Sequence, residues 1–125
     1  MERRQLLGRI GEEMALHHLE ELGYRLLARN WRSGHKELDL VMEDEKKLRI
    51  IEVRCRSLRT TAGGAIAEPS LTVNRIKQRR LISAANAYAK RHNIGKEIVF
   101  DIVSIIADGS TFHLEYLPEA FSATI

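Results

Sequence analysis

Glu37-Leu38-Asp39-Leu40 and Ile50-Ile51-Glu52-Val53-Arg54 are the two stretches whose reading decides the fold. Both are apolar and β-prone, and each is interrupted by a carboxylate. Side chains alternate between faces along a strand, so Glu37 and Asp39 share one face and Glu52 and Arg54 share another. A carboxylate in the apolar centre of a strand is costly unless it is paired or bound to a metal. Two of them on neighbouring strands, with a cation two residues beyond the second, point to a divalent-metal site for phosphodiester chemistry.

The rest of the chain frames these strands. Residues 3–22 have helical period, with Leu6, Leu7, Ile10, Met14 and Leu22 on one arc and Gly11 and Ala15 inside it. Gly23 stops that helix. Residues 24–31 read as a first strand, 33–35 as a turn, 37–42 as a second strand, and 48 to 55 or 56 as a third. The Ser-, Thr-, Ala- and Gly-rich stretch 57–72, with Gly63-Gly64 and Pro69, is a long loop. Thr72 caps a second helix over 73–92. Residues 97–107 and 111–116 are a fourth and a fifth strand joined by an Asp108-Gly109 turn. The tail from Leu117 packs as a short turn or frays. The order α-β-β-β-α-β-β defines one α/β domain over residues 1–125 with a mixed central sheet.

Composition narrows the function classes. The chain has 125 residues, enough for one domain with a real core, and 44% of them are hydrophobic. Its net charge of +3 permits nucleic acid as a partner without demanding it. A single cysteine, Cys55, excludes an internal disulfide and fits a reducing compartment. The N-terminus carries no signal-peptide pattern, and no apolar run approaches the roughly 20 residues of a membrane span. The cytoplasm is the expected place of action.

The chemistry of the two carboxylates follows from their placement. Opposed residues on paired strands lie about 5 Å apart, so Asp39 and Glu52 can share one cation. Carboxylates hold Mg²⁺ or Mn²⁺ through one or two oxygens while a substrate phosphate supplies more. Arg54, one strand period beyond Glu52, stabilises the charge that develops on the phosphorus oxygens. Glu12 falls at the border of the first helix's apolar arc, where it can reach over the sheet edge as a further ligand. Lys77 shares an arc with Leu81, Ala84 and Tyr88, so its stem lies on the sheet and its ammonium reaches outward toward phosphate. Arg75, Lys77, Arg79 and Arg80, with Arg54, Arg56 and Arg59, form either a solvated face or the basic footprint of a nucleic-acid groove. His17 and His18 diverge by about 100° on a helix and do not face one site. Cys55 alternates away from Glu52 and reads as a small core residue. Asp101 reads as a structural cap or the partner of a second-helix arginine.

Gly11-Glu12, Gly23-Tyr24, Arg29-Asn30-Trp31-Arg32, Glu37-Leu38-Asp39-Leu40, Ile51-Glu52-Val53-Arg54, Gly63-Gly64 and Phe100-Asp101-Ile102-Val103 together resemble the YraN-like family of small bacterial proteins. That family is grouped with the PD-(D/E)xK nuclease superfamily. The resemblance covers roughly residues 8–121 and implies a restriction-endonuclease-like α-β-β-β-α-β core. In size and order the chain also resembles the archaeal-type Holliday junction resolvases. The resemblance makes Asp39 the motif's aspartate, Glu52-Val53-Arg54 its (D/E)xK element and Glu12 the glutamate of the first helix. Two departures stand out. The motif's lysine is Arg54, and arginine cannot lose its proton to act as a base. The usual Gly-Glu-Ile-Asp-Leu run reads Gly34-His35-Lys36-Glu37-Leu38-Asp39-Leu40, with two residues between the glycine and Glu37.

The expected function is therefore a metal-dependent endonuclease on DNA, including branched or structured forms. Asp39, Glu52 and Glu12 are the expected Mg²⁺ or Mn²⁺ ligands, and Lys77, Arg56 and Arg80 the expected nucleic-acid contacts. A homodimer would suit the cutting of two strands. The alternatives are a catalytically silent nucleic-acid-binding module with the same fold and a protein-interaction domain.

Overall fold

The computed structural model describes residues 3–57 and 73–123. Two helices and five strands follow one another as α1 (Arg3–Glu21), β1 (Arg25–Ser33), β2 (Lys36–Glu43), β3 (Lys47–Ser57), α2 (Arg75–Arg91), β4 (Glu97–Asp108) and β5 (Thr111–Phe121). This is the α-β-β-β-α-β-β order expected of a restriction-endonuclease-like core. The strands form one sheet in the order β1-β2-β3-β4-β5. β3 and β4 run parallel across the α2 crossover, and the other neighbours pair antiparallel. The sheet is therefore mixed.

Each face of the sheet carries one helix. On one side α2 lays Leu81, Ala84, Ala85 and Tyr88 over Leu38, Val41, Leu48, Ile50, Phe100 and Ile102. On the other, α1 lays Ala15, Leu16 and Leu19 over Leu40, Met42, Ile51, Val103 and Ile105. Complete burial of side chains of this size contributes about 1.5–3 kcal/mol each. The apolar arc of α1 differs from the expected one. Leu6 and Leu22 are 48% and 52% exposed, while Leu16 and Leu19 are buried. Leu6 and Leu22 lie near the two ends of the helix, where the sheet does not reach to cover them.

Local signals explain most boundaries. Gly23, at φ +96°, takes the left-handed position that ends α1, and the Tyr24 amide donates back to the Leu19 carbonyl at 3.2 Å. α2 starts later than expected. Asn74 is its cap, with the side-chain oxygen accepting from the Lys77 amide at 2.8 Å. The cap expected at Thr72, the loop with Gly63-Gly64 and Pro69, and Arg59 lie outside the described residues. β5 is longer than expected and carries strand pairing to Phe121 rather than ending at Tyr116.

One close approach positions α1. Gly11 is buried against β3, and a Cβ there would overlap the Cys55 sulfur. Cys55 packs in the α1 layer, as its alternation predicts, and burial, then the nearby Glu12 and Asp39 charges, push its thiol up to about 11. The thiol is thus a packed, protonated group. Gly11→Ala is expected to destabilise by about 1–3 kcal/mol through overpacking. Cys55→Ala should restore much of the loss in a thermal melt, and no recovery would mean that another contact is at fault.

Candidate functional site

The carboxylates of Asp39 and Glu52 meet where β2 and β3 part. The antiparallel ladder between these strands runs from Glu43↔Leu48 to Leu40↔Ile51 and stops there. The next pair would be Asp39 and Glu52. Instead of continuing the ladder, Asp39 Oδ2 accepts the Val53 amide at 2.9 Å. A side-chain oxygen thus replaces a strand carbonyl, satisfying one donor while the strands separate.

The same point breaks the alternation of faces. Leu38 packs under α2 and Leu40 under α1, although residues two apart belong on one face of a regular strand. On β1, Ala28 and Trp31 both pack on the α2 side although they are three apart. Asn30 lies between them at φ +51°, in a left-handed conformation that asparagine tolerates better than most residues. The paired kink turns the strand at Asp39 toward the opening between β2 and β3. Regular alternation, which places Glu37 on the Asp39 face, does not hold here. Glu37 is exposed and pairs with Arg32 at 3.3 Å.

Glu52 follows Ile50 on the α2 side of β3, and its side chain is 13% exposed. Lys77 from the first turn of α2 brings its ammonium to 3.3 Å from Glu52 Oε2. An open cleft of about 540 Å³ runs over these residues, lined also by Arg54, Arg56 and Asn74. Arg54 is half-buried in the cleft wall, and Arg56 is exposed with a weak bond to the Cys55 carbonyl at 3.4 Å. Arg80 lies elsewhere, one turn along α2 from Lys77, in a neighbouring groove.

The electrostatics of the pair are those of two acids sharing one place. Burial, and then the Glu52 carboxylate, push the Asp39 pKa up to about 7, against the pull of the Val53 amide and Lys77. Burial also raises Glu12, with the Asp39 and Glu37 charges adding to it and an Asn30 hydrogen bond and Arg29 opposing it. Glu12 is therefore close enough to feel Asp39. Yet among the described residues no three His, Cys, Asp or Glu side chains close on a common point. The donor set that fits a cation is the Asp39–Glu52 pair, which suits Mg²⁺, an ion commonly held by one or two carboxylates plus substrate phosphate. Such an ion would polarise a phosphoryl oxygen and acidify a bound water. Asn30, to which the sequence reading assigns no role of its own, links Glu12 to the kinked strand by a hydrogen bond, and Arg29 beside it adds its charge. The only local signal at Asn30 is the left-handed tolerance of asparagine.

The raised Asp39 pKa carries a stability consequence. The folded protein holds the Asp39 proton more tightly than the unfolded chain does, so this group's contribution falls as pH rises from about 4 to about 7. An asparagine side chain in its place could not ionise and could still accept the Val53 amide. Asp39→Asn is expected to be more stable than the parent by about 1–3 kcal/mol near pH 8 and level with it near pH 4. Thermal denaturation in chelated buffer at the two pH values reads this. A variant less stable at both would show that the carboxylate's bond, not its repulsion, dominates.

Fold and site together define a class: a small α/β domain with a mixed sheet and a carboxylate pair at the fork of two antiparallel strands. The chain belongs to the uncharacterised protein family UPF0102, whose model matches residues 11–105. A UPF0102 protein of Bacteroides thetaiotaomicron is 40% identical over 115 residues, covering 92% of this chain and 91% of that protein. One from Bacteroides fragilis is 37% identical over 121 residues, covering 97% and 96%. One from Myxococcus xanthus is 37% identical over 123 residues, covering 98% and 93%. This is the family that the YraN-like motifs resemble.

Proposed function

We propose that this protein is a divalent-metal-dependent endonuclease acting on DNA, with branched or structured forms among its substrates. The observation that carries the reading is the meeting of Asp39 and Glu52 at the β2–β3 fork, with the Lys77 ammonium on Glu52. Asp39 and Glu52 would hold Mg²⁺ or Mn²⁺, and Glu12 would act from beside Asp39. Arg54 would stabilise charge on the phosphoryl oxygens. Lys77 and Arg56 would hold phosphate at the cleft, with Arg80 further along α2. The reading places the protein in the cytoplasm. No described helix is long and apolar enough to cross a membrane.

One observation favours a second reading, a silent nucleic-acid-binding module. Arg54 stands where the motif has lysine, and arginine cannot supply a base. The two readings part on metal dependence. Single-stranded, duplex, flapped and four-way-junction DNA would be incubated with Mn²⁺ or with EDTA. The enzyme reading expects cutting only with metal. A salt-sensitive gel shift without cutting would support the silent module and overturn the enzyme. Neither cutting nor a shift would overturn both.

A further inference from the structure

A second groove adjoins the cleft. It measures about 620 Å³ and runs between the β1–β2 turn and α2. His35 lines it from the turn, Lys36 from the start of β2, Arg79 and Arg80 from the helix, and Lys77 is common to groove and cleft. Two open depressions therefore meet at one ammonium, and the path through them passes Glu52.

Many cations on the surface are matched, and of the unmatched ones among the described residues Arg9, Lys46 and Lys90 lie outside this groove, whereas Lys36, Arg79 and Arg80 share its lining. Arg29 is matched to Glu13, Lys47 to Glu119 and Lys96 to Glu43. Among the described residues, Lys36, Arg79 and Arg80 meet no carboxylate within ion-pair distance. Glu37 also lines the groove, but Arg32 engages it. The folded chain thus concentrates uncompensated cations from two elements, far apart in sequence, along one concave track. Positive charge focused in a groove selects a polyanion.

We infer that this groove binds the sugar–phosphate backbone of the nucleic acid to one side of the phosphate held by Lys77 and Arg56 at the cleft, so that the strand runs from the cleft past Lys77 to the β1–β2 turn. The inference rests on the reading of the cleft as a nucleic-acid site and extends it. The contacts are to phosphates, made by long lysine and arginine side chains from the outer face of a helix and the first residue of β2. They position the strand and carry no base readout.

The test compares Lys36→Glu/Arg79→Glu/Arg80→Glu with a control of equal charge change, Arg9→Glu/Lys46→Glu/Lys90→Glu. Fluorescence anisotropy with duplex and single-stranded DNA of arbitrary sequence is read in EDTA across a salt series, so no cleavage is needed. The groove variant is expected to bind on the order of tenfold or more weakly at low salt. Its plot of log affinity against log salt should be shallower by about two to three. The control should stay within about twofold of the parent. Equal losses in both variants would overturn the groove, because net charge alone would explain them. Unchanged binding in the groove variant would overturn it as well. A groove effect in a protein that never cuts would sink the enzyme reading and leave the groove standing. Cutting that survives with an unaltered salt slope would do the reverse.

Discussion

Asp39→Ala/Glu52→Ala is expected to abolish metal-dependent cleavage while leaving nucleic-acid binding intact or tighter. The β2–β3 fork brings the two carboxylates together, and Glu52 lines the cleft. A metal held there is worth several kcal/mol to a phosphoryl transition state. Its loss should therefore lower the rate by about a thousandfold or more. Binding moves the other way because the negative charge of the pair disappears from beside Lys77. Single-turnover cleavage with Mn²⁺ and a gel shift in EDTA read the two effects separately. Residual cutting at the parental rate would remove Asp39 and Glu52 from the chemistry. Equal loss of cutting and binding would show instead that the double change disturbs the fold, which the thermal melt of the same sample would register.

The second large effect lies on the opposite face of the sheet. Arg49 is 7% exposed and Asp101 fully buried, and the Arg49 guanidinium donates to both Asp101 oxygens at 3.2 and 3.0 Å. Its Nε donates to Asp44 at 2.9 Å, and its plane lies 4.6 Å over the Tyr24 ring. Asp101 also accepts the Tyr116 hydroxyl at 2.6 Å and the Glu119 amide at 2.8 Å. Arg49→Leu removes the cation and leaves a charged carboxylate in an apolar layer. The expected cost is about 3–5 kcal/mol in urea denaturation. Adding Asp101→Leu should return part of that, since the double change removes both charges. A single-variant loss under about 1 kcal/mol would mean that Tyr116 and Glu119 satisfy Asp101 without the arginine.

This network also explains what the sequence hides. β4 and β5 lose register between Phe100 and Ile102, and the Asp101 side chain takes up the Glu119 amide at that irregularity. That bond holds the end of β5, so residues 117–121 extend as strand rather than fraying. Asp101 reads from sequence as a structural cap or the partner of an α2 arginine; it does bind a backbone amide, that of Glu119, but its cation is Arg49 on β3. Arg49 and Asp101 are 52 residues apart, and nothing local marks the pairing. The elements themselves are legible because each carries its own period. Asp39 and Glu52 are legible because charge is conspicuous inside an apolar strand. The kink at Asn30 and the joint lining of the second groove depend on contacts between elements, to which periodicity is blind, while the cap at Asn74 is a local bond to Lys77 two residues beyond the expected one. The exposure of Leu6 and Leu22 has the same origin, since a helix's apolar arc does not say how far the sheet beneath it extends.

The alternation along β3 has a consequence for how the chain avoids folding wrongly. Arg49, Ile51, Val53 and Cys55 face the α1 layer, while Ile50 and Glu52 face α2 and the cleft. Sliding β3 by one position would exchange the two sets. Glu52 would then sit among Leu16, Leu19 and Val103 with no ammonium beside it. Ile51, fully buried in the native register, would turn toward the open cleft. Mispairing is therefore penalised by the same carboxylate that the site needs. The cleft's chemistry acts as a register pin for the central strand, so weakening one by mutation also loosens the other's guard against slipped partners.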